Sequence, residues 1–185
     1  MITLITSFEP FGEFKANSSL RTMSRIKKVY GCRIKKLVLP VTFKLAGEML
    51  VRRLRLEKPD VLICLGQSEK CECITFEKIA RNKIDAKYKD NTGKQPKNKK
   101  CCKNGKAAYK SNIDLELVKK ALPNIALDIS TDAGTFVCND VYYQALREIY
   151  ENNLNTKCCF IHLPITHTKT KDINKIVKTI IKLYK

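Results

Sequence analysis

The sequence has no apolar run approaching the roughly 18–20 residues that cross a bilayer, which excludes a membrane-spanning helix. Its first residues, Met1-Ile2-Thr3-Leu4-Ile5-Thr6, have no basic segment ahead of them, so they read as a strand rather than an export signal. Histidine is scarce: only His162 and His167 are available to any mechanism that needs an imidazole. Acidic residues are also few, 18 against 36 basic ones, for a net charge of +18. The nine cysteines (32, 64, 71, 73, 101, 102, 138, 158 and 159) lack the paired C-x₂-C spacing of a structural zinc site. Cys71-x-Cys73, Cys101-Cys102 and Cys158-Cys159 are the nearest approaches, and strand alternation would send 158 and 159 to opposite faces. The expectation is therefore no metal and no cofactor. Without an export signal the cysteines are expected to be reduced thiols in the cytoplasm. Internal repeats and linkers are absent too, so residues 1–185 are expected to form one domain.

What is present begins with lysine. It supplies 28 of the 36 basic residues, with Asn and Ile also abundant, a profile that drift toward AT-rich codons produces without any polyanionic partner. A nucleic-acid footprint is more often arginine-rich or interleaved with aromatics on one face. The densest run, residues 87–110, holds nine lysines and the single acid Asp90. Its Asn91, Gly93, Pro96, Asn104 and Gly105 predict a solvated loop or a set of short turns. No nucleic-acid and no membrane partner is expected.

Strand-like and helix-like segments alternate along the chain. Residues 1–8, 33–41, 61–65, 72–79, 125–130 and 158–163 read as extended, and 61–65 and 158–163 are wholly apolar, as in a sheet covered on both faces. Helices are predicted over 19–30 (capped by Asn17 or Ser18 and stopped by Gly31), 43–56, 113–122 and 138–152. A last helix buries Ile173, Ile176, Val177, Ile180 and Ile181. Covered strands alternating with amphipathic helices indicate an α/β fold, a three-layer α/β/α sandwich.

The residue with the most chemical promise is Cys138, in Ala133-Gly134-Thr135-Phe136-Val137-Cys138-Asn139-Asp140. Phe136 and Val137 read as a short extended approach after Gly134. From Cys138 the pattern turns helical through Val141, Tyr142, Ala145, Leu146 and Ile149. A thiol in the first turn of a helix faces unpaired N–H groups and the positive end of the helix dipole, both of which favour thiolate. The same amides could hold an oxyanion. The bland alternative is a buried, inert cysteine. His162 stands near the C-terminal end of its strand, just before Pro164, where open α/β sheets gather functional groups. Its own alternative is a core histidine at a strand end.

Four segments in order resemble the pyroglutamyl peptidase I (pyrrolidone-carboxylate peptidase) family of cysteine peptidases. Thr6-Ser7-Phe8-Glu9-Pro10-Phe11-Gly12 with Asn17 is similar to the family's N-terminal segment. Gly66-Gln67, then Thr75-Phe76-Glu77 and Asn82, resembles the segment that carries its glutamate. Ala133 to Asn139 resembles the nucleophile motif, and Phe160-Ile161-His162-Leu163-Pro164 the histidine motif. The resemblance implies a mixed central sheet of the phosphorylase/hydrolase kind. It implies Cys138 as nucleophile, His162 as base then acid, and Glu77 as the group that orients the imidazole; on the residues alone Glu77 reads rather as an exposed strand-end carboxylate. Phe8, Phe11, Asn17, Gln67, Phe136 and Val137 would bind a flat pyrrolidone ring, although Phe8 and Phe11 also suit ordinary core packing. The implied reaction is hydrolysis of the amide bond after an N-terminal pyroglutamyl residue, through a thioester. The implied assembly is a homo-oligomer, a dimer or tetramer.

The chain departs from the family pattern in places. Ser68-Glu69-Lys70-Cys71 replaces small residues and an arginine, Lys87 replaces an arginine whose planar fork it cannot reproduce, and Ser7 and Glu13 replace glycines. Asp140 replaces a histidine common in bacterial members and, two residues from Cys138, is expected to oppose thiolate formation mildly. Two other readings stay open on the sequence: a degenerate member that binds pyroglutamyl ends without cleaving them, and a basic nucleic-acid-binding α/β protein.

Overall fold

The computed structural model describes residues 1–165 and 170–185. His167 lies outside the described residues. The elements run β1 (Ile2–Phe8), α1 (Ser18–Ser24), β2 (Arg33–Leu39), α2 (Leu45–Glu57), β3 (Val61–Ser68), β4 (Ile74–Glu77), β5 (Ile79–Arg81), β6 (Ala108–Lys110), α3 (Leu115–Lys120), β7 (Leu127–Ser130), α4 (Val137–Glu151), β8 (Lys157–Pro164) and α5 (Thr170–Leu183). Six strands form one sheet in the order β2-β1-β3-β8-β4-β7. The pairs among β2, β1, β3 and β8 are parallel, β4 runs antiparallel to β8, and β7 is parallel to β4. The sheet is mixed, with helices on both faces.

Strand periodicity explains the layers. In β3, Leu62 and Cys64 face the core built with α2 and α4, while Val61, Ile63 and Leu65 face the core built with α1, α3 and α5. In β8, Cys158 and Phe160 join the first core and Cys159, Ile161 and Leu163 the second. A period of two on a doubly covered strand therefore requires apolar residues at every position, as the sequence supplies. The alternation also fixes which face of the sheet carries His162. His162 shares the Phe160 face and so points toward α4, which carries Cys138.

Several expected elements differ in the structure. The first helix stops at Ser24 rather than continuing to Tyr30. Past Ser24, tertiary contacts outweigh helix propensity: Ile26 turns inward, Asn174 of α5 accepts from the Lys27 amide at 2.9 Å, and Val29 bridges Cys32 around Gly31. The stretch of 72–79 breaks at Lys78 into β4 and β5, which belong to different sheets. The lysine-rich segment is more built than a solvated loop. It ends in β6, which pairs antiparallel with β5, and Ile84 bridges Lys99. Its one acid, Asp90, is 4% exposed and accepts from Thr92 N, Thr92 Oγ1, Lys94 N and Phe43 N.

Candidate active site

Cys138 is the second residue of α4. Val137, expected in an extended approach, is instead the first helical residue and is fully buried. The extended cap position belongs to Phe136, after a turn at Gly134 whose φ of +77° suits a residue without a Cβ. Phe136 offers no side-chain cap to the first-turn amides, so N–H groups beside Cys138 are left for an incoming acceptor. Asn139 bolts this turn to β5: its Nδ2 donates to the carbonyls of Arg81 and Lys83 at 2.9 Å, and its Oδ1 accepts from Arg81 N at 2.9 Å. Thr135 Oγ1 donates to Asp85 O at 2.8 Å on the same side.

His162 is 6% exposed and Glu77 is 2% exposed. Nδ1 of His162 lies 2.7 Å from Oε1 of Glu77, so the carboxylate accepts the Nδ1 proton and the other ring nitrogen is left for the cysteine. Burial pulls the His162 pKa down, but hydrogen bonds to Cys138 and Glu77, with their charges, hold it up at about 10. The pairing puts an imidazolium between a carboxylate and a sulfur. Glu77 is itself held from α4, because Tyr142 OH donates to the Glu77 carbonyl at 3.0 Å. Phe160 lies beneath the imidazole, with ring centroids 4.8 Å apart.

These three side chains open into a cleft of about 760 Å³ at one end of the sheet. Phe8, Phe11, Asn17, Gln67, Phe136 and Val137 all line it, together with Val41. The aromatic wall is continuous: Phe11 and Phe136 have centroids 5.9 Å apart, and Phe43 backs Phe136 edge-on at 5.3 Å. Asn17 shapes the Phe8–Phe11 turn. Its Nδ2 donates to Glu9 O at 3.0 Å, and its Oδ1 accepts from Ser19 N at 2.9 Å and Ser19 Oγ at 2.7 Å. Gln67 is clamped at one end, accepting from Ser18 N at 2.7 Å, and its Nε2 is buried with no partner among the described residues. A fixed amide with a free N–H₂ is a ready donor for a ligand carbonyl.

One expectation is corrected. Asp140 does not face Cys138: residues two apart on a helix point about 200° apart. Its carboxylate accepts, at 3.4 Å each, from Lys44 N and Gln144 Nε2, on the α2 side. There burial raises its pKa, and it lines a larger cavity of about 1490 Å³ between α2 and α4. That cavity holds Cys101 but neither Cys138 nor His162. Lys87, the arginine substitute, is exposed at the cleft mouth with its ammonium 5.1 Å from the Tyr88 ring centroid; no hydrogen bond joins it to Glu77 or His162 among the described residues.

Sequence reasoning missed Tyr142, which read as a core position of α4, and the locking role of Asn139, whose signal was its place beside Cys138. It also passed over the crowding at Gly66. A Cβ there would lie 2.7 Å from Cζ of Phe160 and 3.1 Å from Sγ of Cys138.

Comparison with known proteins agrees with this geometry. The family model described as pyroglutamyl peptidase matches residues 1–181. A pyrrolidone-carboxylate peptidase of Brachyspira hyodysenteriae is 40% identical over 167 residues, covering 89% of this chain and 83% of the relative. Among solved structures, the pyrrolidone carboxyl peptidase of Pyrococcus furiosus superposes with a TM-score of 0.92 at 29% identity, covering 100% of this chain and 98% of that one. The pyroglutamyl peptidase I of Bacillus amyloliquefaciens gives 0.87 at 27% identity, covering 97% and 94%. With a cysteine at a helix start beside a strand-borne histidine, a family model that spans residues 1–181 and a relative 40% identical along most of both chains, this chain belongs to the pyroglutamyl peptidase family of cysteine peptidases.

Proposed function

We propose that this protein hydrolyses the amide bond after an N-terminal pyroglutamyl residue, with Cys138, His162 and Glu77 as its catalytic group and residues 1–185 acting as one domain. The observation that carries the reading is the His162–Glu77 contact of 2.7 Å beside Cys138, in a cleft walled by Phe8, Phe11 and Phe136. The pyrrolidone ring lies against the aromatic wall, and Gln67 Nε2 donates to its ring carbonyl. A charged glutamyl end is rejected because its buried charge would be unpaired there.

Cys138 sulfur attacks the pyroglutamyl carbonyl while first-turn amides of α4 receive the oxyanion. The His162 imidazolium passes its proton to the departing amine, leaving a thioester on Cys138. The neutral imidazole then takes a proton from water, which attacks the thioester; pyroglutamate leaves and Cys138 recovers its sulfur. Glu77 keeps one tautomer and one ring orientation throughout. No step calls for a metal or cofactor. Nine unbridged cysteines support a reducing, cytoplasmic setting, and no described helix is long and apolar enough to cross a membrane. A dimer or tetramer belongs to the same proposal.

The test is release of a fluorophore from a pyroglutamyl-amide substrate by wild type, Cys138→Ala and His162→Ala. Thiol-dependent turnover in wild type alone is expected. A wild type that binds the substrate without turning it over would make the chain a binding member. Turnover persisting in Cys138→Ala would move the nucleophile elsewhere.

A further inference from the structure

The cleft has two ends, separated by the catalytic pair. One end lies over β1 and β3 and carries Phe8, Phe11 and Gln67. The other lies over β4 and β7, beyond His162 in the strand order. Register makes this second end explicit. His162 of β8 pairs with Thr75 of β4, and Thr75 pairs with Asp128 of β7. Paired residues share a face, and all three line the cleft. Two strand spacings place the Asp128 backbone about 10 Å from that of His162.

The charge at this end is opposite to that of the molecule. In a chain with 36 basic and 18 acidic residues, the cleft is lined by the acids Glu69, Glu72, Asp128 and Asp132, besides Glu77, against only Lys70 and Lys87. The four rim carboxylates are exposed, and none forms an ion pair among the described residues. Glu69 sits within electrostatic reach of Lys87, so those two offset each other on one side of the mouth. Asp128 acts on the other side, where burial first, and then its charge, push up the pKa of Cys73, while Lys119, behind the rim, pulls it down and offsets part of the Asp128 field. Inside the same cleft, Gln67 Nε2 and Glu77 Oε2, on residues 7% and 2% exposed, have no partner among the described residues. The cleft thus has an aromatic wall with two unpartnered buried polar atoms inside it, and is acidic at its far rim.

With the pyroglutamyl ring over β1 and β3 and its carbonyl at Cys138, the departing peptide has to extend toward β4 and β7. We infer that this end selects substrates whose residue after pyroglutamate is lysine or arginine, with Asp128 as the main determinant and Glu72 and Asp132 adding to the field. This inference rests on the proposed reaction. A lysine or arginine side chain extended from the position next to the scissile bond runs along the roughly 10 Å between the His162 and Asp128 backbones, toward the carboxylate. The rim is solvent-exposed, so the preference is modest and screened by salt.

The test compares kcat/KM for three peptides, pyroglutamyl-lysine, -glutamine and -glutamate amides, at 20 mM and 500 mM salt. The expected order is lysine over glutamine over glutamate, with about five- to twentyfold between the extremes at low salt and contraction at high salt. Asp128→Asn should reduce that ratio at least threefold, and adding Glu72→Gln should bring it near one. Equal rates for the three peptides, or a preference for glutamate in keeping with the overall positive charge, overturns the inference while leaving the reaction in place. Failure of all three to turn over, with Cys138 intact and the protein folded, overturns both.

Discussion

Gly66 and Cys138 pack so closely that a methyl group on Gly66 would stand 3.1 Å from the cysteine sulfur and 2.7 Å from the Phe160 ring. Gly66 pairs with His162 across β3 and β8, so the space denied to a side chain there is the space the Cys138 sulfur and the Phe160 ring occupy. Gly66→Ala is expected to push Phe160 and the sulfur apart, costing about 1–3 kcal/mol of stability through overpacking. It should lower kcat/KM by at least about a hundredfold, since an ångström of misplacement has that effect. Denaturant unfolding gives the first number, and the rate of Cys138 alkylation by iodoacetamide reports the second independently of substrate.

Glu77→Gln tests the orienting carboxylate. The imidazolium of His162 persists to about pH 10, against an ordinary value of 6.5, so it can protonate a leaving amine well into the alkaline range. The folded value is raised, so protonation of His162 stabilises the fold fully below pH 6.5, and that contribution is lost as pH rises through about 10. Removing one of the two groups that raise it should move the alkaline limb of the pH–kcat/KM profile to lower pH. The turnover rate should fall by about 10²–10⁴-fold. An unmoved limb would mean that Glu77 does not act through the imidazole.

Gln67→Glu keeps the oxygen that accepts from Ser18 N and replaces the unpartnered Nε2 with a second oxygen. An acceptor then meets the ring carbonyl where a donor is expected. A loss of about a hundredfold or more in kcat/KM, mostly through KM, is predicted. Inhibition by free pyroglutamate or 2-pyrrolidone should weaken in parallel, and unchanged inhibition would remove Gln67 from the ring site.

Asp90 ties the lysine-rich segment to the start of α2. Burial alone would raise its pKa, yet hydrogen bonds from Thr92, Phe43 and Lys94 leave it below the usual 3.8. Its stabilising contribution is therefore present above pH 3.8 and lost as pH falls through the lower folded value. Asp90→Ala, which orphans the buried Phe43 amide and removes the part-buried bonds from Thr92 and Lys94, should cost about 1–3 kcal/mol at neutral pH and flatten the acid side of the stability profile. Thermal unfolding between pH 2 and 7 measures both.

The sequence was most legible where one local rule sufficed. Apolar runs at 61–65 and 158–163 identified doubly covered strands, and the periodicity after Cys138 identified a helix. It was least legible where a distant segment decided the outcome. Nothing local ends α1 at Ser24; the partner of Lys27 is Asn174, far away in the chain. Local bonds from Thr92 and Lys94 to Asp90 make a turn within residues 87–110, but nothing local docks that turn or makes a strand of the segment's end, because those partners are the distant Phe43 and Ala80. The departure at Asp140 was visible, but its consequence was misjudged: separation along the chain gave proximity to Cys138, whereas helix rotation gave the opposite face.

By itself the sequence determined which residue types were available: one cysteine at a helix start, one histidine at a strand end, an acid ahead of them, and a motif order that named the family. Those properties follow from residue chemistry and from periods of 2.0 and 3.6, which are local. The tertiary structure alone decided the distance of 2.7 Å between His162 and Glu77, the burial of both, and the side of the sheet they share. The physical reason is the sheet itself. Placing β4 antiparallel beside β8 sets residues 85 positions apart next to one another, and it aligns Asp128 with them from a third strand. No pattern confined to neighbours in sequence carries that register.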